Sequence, residues 1–396
     1  MTSWKIYNVQ VALPDRIADH ATVWVEEGRI TGIQEHTPSG TIRLEIGEIP
    51  TALCESVDGQ GQLLIPGMID VHIHGANGFD MMDGMESSIQ EVSRICALTG
   101  CTSFLATSVT SSLEDLMSMI RSVKQVAGKE VGARIAGIHL EGPYLNVKRK
   151  GMQNEKYLRH PDIQEMAHIF KEAGDLIRMV TIAPELPGGM ELLTWLIDRG
   201  VIVALAHSDA TYEEAKLAFQ AGASHVTHCF NGMRPIHHRD PGLVAAAFEE
   251  PHVSLQAIVD HVHLHPAIVR LMHRLKGASG MVLITDALQA MGLGDGVYQF
   301  GGHEVTVTDG TARLKDGTLA SSTVTMNEAL KHTVELGISL TDAVQMASMT
   351  PARVLGLDQI GNIEIGNSAD LVLLNERFGV VWTMIGGRVI HDEHHI

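Results

Sequence analysis

Cysteine is scarce: four residues in 396, at Cys54, Cys96, Cys101 and Cys229, with no CxxC pair. That argues against a thiolate zinc site and a disulfide framework, and it suits a reducing cytoplasm. Long apolar runs are missing too. None approaches the ~18 residues of a membrane span. The first residues, MTSWKIYNVQ, show no basic stretch leading into an apolar core, so no secretion signal is expected there and a cytoplasmic location is. Basic residues are outnumbered, 29 Lys and Arg against 47 Asp and Glu, for a formal charge of −18. Phosphate backbones select basic surfaces, so nucleic acid is a poor partner. A small anionic ligand stays open, because a few local cations can hold one. Low-complexity segments and short-period repeats are absent as well.

What is present is alternation. Apolar, β-branched runs occur near 64–72, 102–107, 134–140, 177–183, 201–206, 225–229, 253–260 and 281–285. Helical patterns lie between most of them, among them SLEDLMSMIRSVKQVAG and HPAIVRLMHRLKG, and several end in glycine as helix stops do. Eight strands alternating with helices predict an α/β fold, a (β/α)8 TIM-like barrel, over residues 65–354. The flanks read differently. Short alternating strands such as TVWVEEGRITGIQE fill residues 1–64, and LVLLNERFGVVWTMIGGRVIH continues that pattern in 355–396. Both ends together predict one small β-sandwich domain.

The stretch LIPGMIDVHIHG places His72 and His74 on one face of the first barrel strand, with Asp70 beside them. Alone, this HxH is equally well a polar strand end dipping into solvent. The later strand ends decide otherwise. Strand three ends at Glu141, five at His207, six at His228 and eight at Asp286. In such barrels these ends form one rim, where catalysis sits. Imidazoles and carboxylates without thiolates suit zinc, iron or another first-row divalent ion. Asp286 would stand near a metal-activated water as proton acceptor and then donor. Its competing role is to cap the next helix, since TDA resembles a helix start.

PGMIDVHIHG, HLEGPY, AHSDAT, THCFNGM and LITDA resemble the amidohydrolase superfamily, and within it the branch that deacetylates amino-sugar 6-phosphates. The resemblance covers nearly the whole chain. It implies a hydrolase for an N-acetylated amino sugar 6-phosphate, of the glucosamine or the galactosamine series. It implies Glu141, His207 and His228 as the constant metal ligands, with His72 and His74 holding a second ion and Glu141 bridging. One or two zinc or iron ions per chain would then be bound, with Asp286 as acid/base. Met152, Asn231, Gly232, Arg239, Asp260, His263 and the segment Leu319, Ala320, Ser321 match substrate contacts. Arg239 would reach into a neighbouring subunit's pocket, which implies a homodimer. Its plainer role is a surface ion pair. Where many members carry a histidine after HLEGPY, this chain has Gln153, which donates a hydrogen bond but carries no charge. DHVHLHP is richer in histidine than the usual pattern, and His261 and His265 read as helix-start residues. A non-catalytic sugar-phosphate-binding barrel is the reading from another class. It predicts a damaged catalytic set, yet every ligand and Asp286 are present.

Overall fold

The computed structural model describes residues 3–36, 42–46 and 54–393. Eight parallel strands follow one another around a barrel: β1 (Met68–Ile73), β2 (Cys101–Thr107), β3 (Arg134–Glu141), β4 (Ile177–Ile182), β5 (Ile202–Leu205), β6 (His225–Val226), β7 (Ser254–Ile258) and β8 (Met281–Ile284). The seam between β8 and β1 is closed just past β8. There the Asp286 N–H donates to the His72 carbonyl (2.8 Å) and the His74 N–H to the Ala287 carbonyl (2.9 Å). Asp70 reinforces it, accepting from the Thr285 hydroxyl at 2.5 Å and from the His72 amide at 3.1 Å. The first carboxylate of the HxH strand therefore closes the barrel.

A helix follows each strand: α1 (Glu86–Leu98), α2 (Leu113–Val126), α3 (Ile163–Ala173), α4 (Gly189–Ile197), α5 (Tyr212–Gln220), α6 (Gly242–Glu249), α7 (Pro266–Lys276) and α8 (Met326–Glu335). In α2, Ser112 caps the first turn. Leu116, Met119, Ile120, Val123 and Val126 recur at helical spacing and are all buried. Such a stripe fixes which face turns to the barrel. Between β8 and α8 the chain makes a three-stranded sheet, Gly296–Phe300, His303–Thr308 and Thr311–Leu314, which the alternation had not announced. Two shorter helices, Leu340–Ala347 and Met349–Leu355, complete the layer.

Both chain ends join one nine-stranded sheet, in which Val380–Ile385, Leu371–Leu374, Leu63–Pro66, Trp4–Ala12, Ile17–Glu26 and Arg29–His36 are successive neighbours. It curls on itself: Ile6, Val23, Ile33, Leu371 and Trp382 share one apolar core. The two layers of the expected sandwich are thus parts of one continuous sheet. The apolar run expected as a single strand over 64–72 divides at Gly67, where any side chain would collide with Thr102. Leu63–Pro66 pairs with the terminal sheet, and Met68–Ile73 opens the barrel. Arg134 at the start of β3 pairs with buried Asp370, whose carbonyl accepts the Gly67 amide at 2.8 Å. Among the described residues no helix is long and apolar enough to cross a membrane.

Candidate metal centre

The strand ends bring the predicted groups together. Glu141, at the tip of β3, lies centrally. Its Oε1 is 2.8 Å from His228 Nε2 and 3.3 Å from His207 Nε2, and its Oε2 is 3.7 Å from His74 Nε2. His72 and His74 face each other with their Nε2 atoms 3.0 Å apart, too close for both to carry hydrogens. Asp286 Oδ1 is 3.1 Å from His74 Nε2 and 3.4 Å from His72 Nε2. All six side chains are buried.

These groups suit a divalent cation by the chemistry of the donors. His207 Nδ1–H donates to the Arg149 carbonyl at 2.8 Å, and His72 Nδ1–H to Gln256 Oε1 at 3.0 Å. A metal-binding imidazole is oriented in this way, its second nitrogen tied to an oxygen so that the first presents a lone pair. Glu141 with His207 and His228 forms one set of converging ligand atoms, and Glu141 with His72 and His74 a second. Burial pushes the His72 imidazole down to about 4, leaving it neutral. Burial also opposes charge on His74, but its hydrogen bond to Asp286 and the charges of Asp286 and Glu141 prevail and lift it to about 9. For Asp286, burial is outweighed by the neighbouring imidazoles of His72 and His74, the latter through a hydrogen bond, and the carboxyl falls to about 2. Glu141 is likewise held well below the ordinary carboxylate range, the nearby imidazoles overcoming burial. Both carboxylates are ionised at neutral pH.

The backbone at this rim is strained where the chemistry is. His207 (φ 46°), His228 (φ 27°), Asp286 (φ 49°) and Ser321 (φ 60°) all occupy the left-handed region. Non-glycine residues keep such angles only where the surroundings enforce them, most often at functional sites. Gly232 (φ 62°) has two reasons to be glycine. Besides its angle, a Cβ there would stand 2.6 Å from His207 Nδ1.

A pocket of about 240 Å³ opens above these groups. Of the predicted residues, His74, Glu141, Met152, Gln153, His207, His228, Asn231, Gly232, His263, Asp286, Leu319 and Ser321 line it. His72 lies beneath them, fully buried. Asp260 stands behind His263, accepting from its Nδ1–H at 2.7 Å. Ala320 is packed in an apolar cluster with Phe300 and Val305 and does not line the pocket. Arg239 is exposed on the loop after β6, away from its own chain's pocket. Gln153 is buried. Its Nε2 donates to Glu141 Oε2 at 2.7 Å, and its Oε1 accepts the Thr110 amide at 2.9 Å. The neutral amide steadies the central carboxylate, and its second N–H remains for a ligand.

Two contributors escaped the sequence reading. Gln256, in the middle of β7, takes His72 Nδ1–H and also the His228 amide (3.1 Å), coupling the two groups of imidazoles. A polar side chain inside the apolar run SLQAI was its only signal. Arg313 lines the pocket from the inserted sheet. In TARLKDG it reads as an exposed hairpin residue, and nothing in the sequence marks it.

The amidohydrolase family pattern matches residues 63–390. The chain belongs to the amidohydrolase family. It is 36% identical over 390 residues to the N-acetylglucosamine-6-phosphate deacetylase of Bacillus subtilis (strain 168), covering 97% of this chain and 96% of that one. It is 35% identical over 367 residues to an N-acetylgalactosamine-6-phosphate deacetylase of Escherichia coli O157:H7, covering 92% and 96%. Among solved structures it superposes with a TM-score of 0.88 on a point mutant of the Mycobacterium smegmatis N-acetyl-D-glucosamine-6-phosphate deacetylase in complex with N-acetyl-D-glucosamine-6-phosphate. That pair is 31% identical, with 98% of this chain and 99% of the other covered. Family membership and the donor set agree on a metal-dependent hydrolase.

Proposed function

We propose that this chain hydrolyses the acetamide of N-acetyl-D-glucosamine 6-phosphate to D-glucosamine 6-phosphate and acetate. The observation that carries the reading is one pocket in which Asp286 meets His74 and Glu141 meets His207 and His228. When bound, a divalent cation, zinc or iron, supplies Lewis acidity toward the acetamide oxygen and lowers the pKa of an attacking water. Glu141, His207 and His228 would hold it, and His72 with His74 would offer room for a second. Asp286, ionised at rest, takes the water's proton on its carboxylate and passes it to the departing nitrogen. The Ser321 hydroxyl donates to Asp286 Oδ1 at 3.3 Å and keeps that oxygen in place. Gln153 offers its remaining N–H to the acetamide. Asn231, Gly232, Met152, Leu319 and Ser321 enclose the sugar. His263, aimed by Asp260, lines the pocket where the phosphate would lie, and Arg313 adds a cation there within an acidic chain.

The exposed Arg239, with no place in its own pocket, supports the reading of a homodimer in which it completes the neighbour's phosphate site. The galactosamine isomer is the competing substrate, since relatives of both kinds stand at nearly equal identity. Acetate release measured across a panel of N-acetyl sugar phosphates tests the assignment. Fastest turnover on the glucosamine isomer is expected. Preference for the galactosamine isomer would move the substrate, and no release from either would overturn the reading.

A further inference from the structure

Outside the pocket, a second group of imidazoles and a carboxylate converges on the protein surface. His261 follows β7, in the loop that also carries Asp260 and His263, and its ring lies against that of His332 in α8, tilted by 45° with centroids 4.3 Å apart. One ligand atom each from His261, His332 and Glu335 lie within 4.8 Å of one another. Three further features suit a cation. His332 Nδ1 is 2.9 Å from the Val259 carbonyl, an acceptor only, so Nδ1 carries the hydrogen and Nε2 presents its lone pair. Glu335 is the last residue of α8, where the helix dipole disfavours a carboxylate and favours a positive charge. Finally, His261 is no helix-start residue. His265 holds that place, accepting the Ala267 amide at 3.2 Å, while His261 adopts a left-handed φ of 64° that brings it to His332.

We propose that His261, His332 and Glu335 form a peripheral site for a borderline divalent ion of the zinc class, separate from the metal centre in the barrel. Two imidazoles and a carboxylate are ligands that such ions favour, and water would complete the coordination. Lys331, whose Nζ is 3.8 Å from Glu335, is the cation a bound ion would displace from that carboxylate. An ion bound there would tie the 259–265 loop to α8.

The test uses the holoenzyme with its barrel site already loaded, and zinc alone as the probe. In equilibrium dialysis against buffered zinc, the wild-type chain should take up one additional equivalent at micromolar free zinc, with a rise in Tm. His261→Ala, at an exposed position, should abolish that equivalent and the Tm rise while its own Tm without added zinc stays near wild type. Glu335→Gln should weaken binding by roughly tenfold or more, about the loss of one coordinating charge. An additional equivalent that persists in His261→Ala, or that fills only at millimolar zinc, would overturn the proposal. So would no uptake beyond the barrel site.

Discussion

Left-handed backbone angles occur both in the terminal sheet and at the barrel rim, but under opposite conditions. In the sheet Asn8, Glu27 and Gln60 adopt them at exposed turns and bulges. At the rim His207, His228, Asp286 and Ser321 adopt them while buried and in contact with the pocket. An exposed turn tolerates strain because it sets only local direction. Buried strain at four converging side chains has to be enforced by the rest of the fold, which ties it to function. The barrel's other end shows a third condition. There Arg134 and Asp370 join the terminal sheet to β3 without lining the pocket, and burial lowers the Arg134 guanidinium below its usual range. In barrels of this kind the rim carries chemistry and the opposite face carries stability.

That division can be broken at the rim first. Asp286→Asn should keep metal, since the ligand imidazoles remain, yet turnover should fall by about two to four orders of magnitude because a carboxamide cannot take the proton. Steady-state kinetics alongside metal analysis would check this. Near-normal turnover would reduce Asp286 to a strand-end residue that holds Ser321 and closes the seam to His72. At the opposite end, Asp370→Asn leaves the half-exposed Arg134 guanidinium beside a neutral amide. A cost of about 1–2 kcal/mol is expected in denaturant unfolding, since water screens the exposed partner, with kcat/KM per folded molecule unchanged. A loss of activity larger than the loss of folded protein would show that the two ends are coupled.

Much of this contrast was legible beforehand. The rim could be read because imidazoles and carboxylates sit at strand ends, and strand ends follow from alternation. His72, Glu141, His207, His228 and Asp286 each close an apolar run. The strain at three of those positions was not legible, since nothing in AHSD, THCF or TDAL announces a positive φ. Gln256 and Arg313 were missed for two reasons. One is a polar residue whose partners lie across the barrel, and the other arrives from an insertion whose docking depends on tertiary packing. The split at Gly67 was hidden because its cause, Thr102, lies 35 positions away in sequence.

The loop after β6 belongs to neither end, and it sharpens the comparison. Arg239→Ala should raise KM for the phosphorylated sugar roughly ten- to a hundredfold, the cost of a charge-assisted hydrogen bond of about 1.5–3 kcal/mol. Hydrolysis of the same sugar without phosphate should barely change. Equal losses on both substrates, or a change in oligomeric state by light scattering, would assign Arg239 to assembly instead.

The smallest effect is expected within the rim itself. His72 sits on β1 and His74 immediately after it, and neither has the left-handed angle that holds His207 and His228 in place. Their carboxylate oxygen is also shared: Glu141 Oε2 already accepts from Gln153 at 2.7 Å and lies 3.7 Å from His74. Two cations on one bridging carboxylate repel each other, so the less committed site should be the weaker. His74→Gln should therefore lower metal content toward one per chain, while Glu141, His207 and His228 keep theirs and turnover falls less than in Asp286→Asn. Elemental analysis of the purified variant decides the matter. Loss of all metal would mean that the strand pair is the tighter site. In that case the strained histidines are held for orienting substrate, and strain at this rim marks substrate contacts rather than metal ligands.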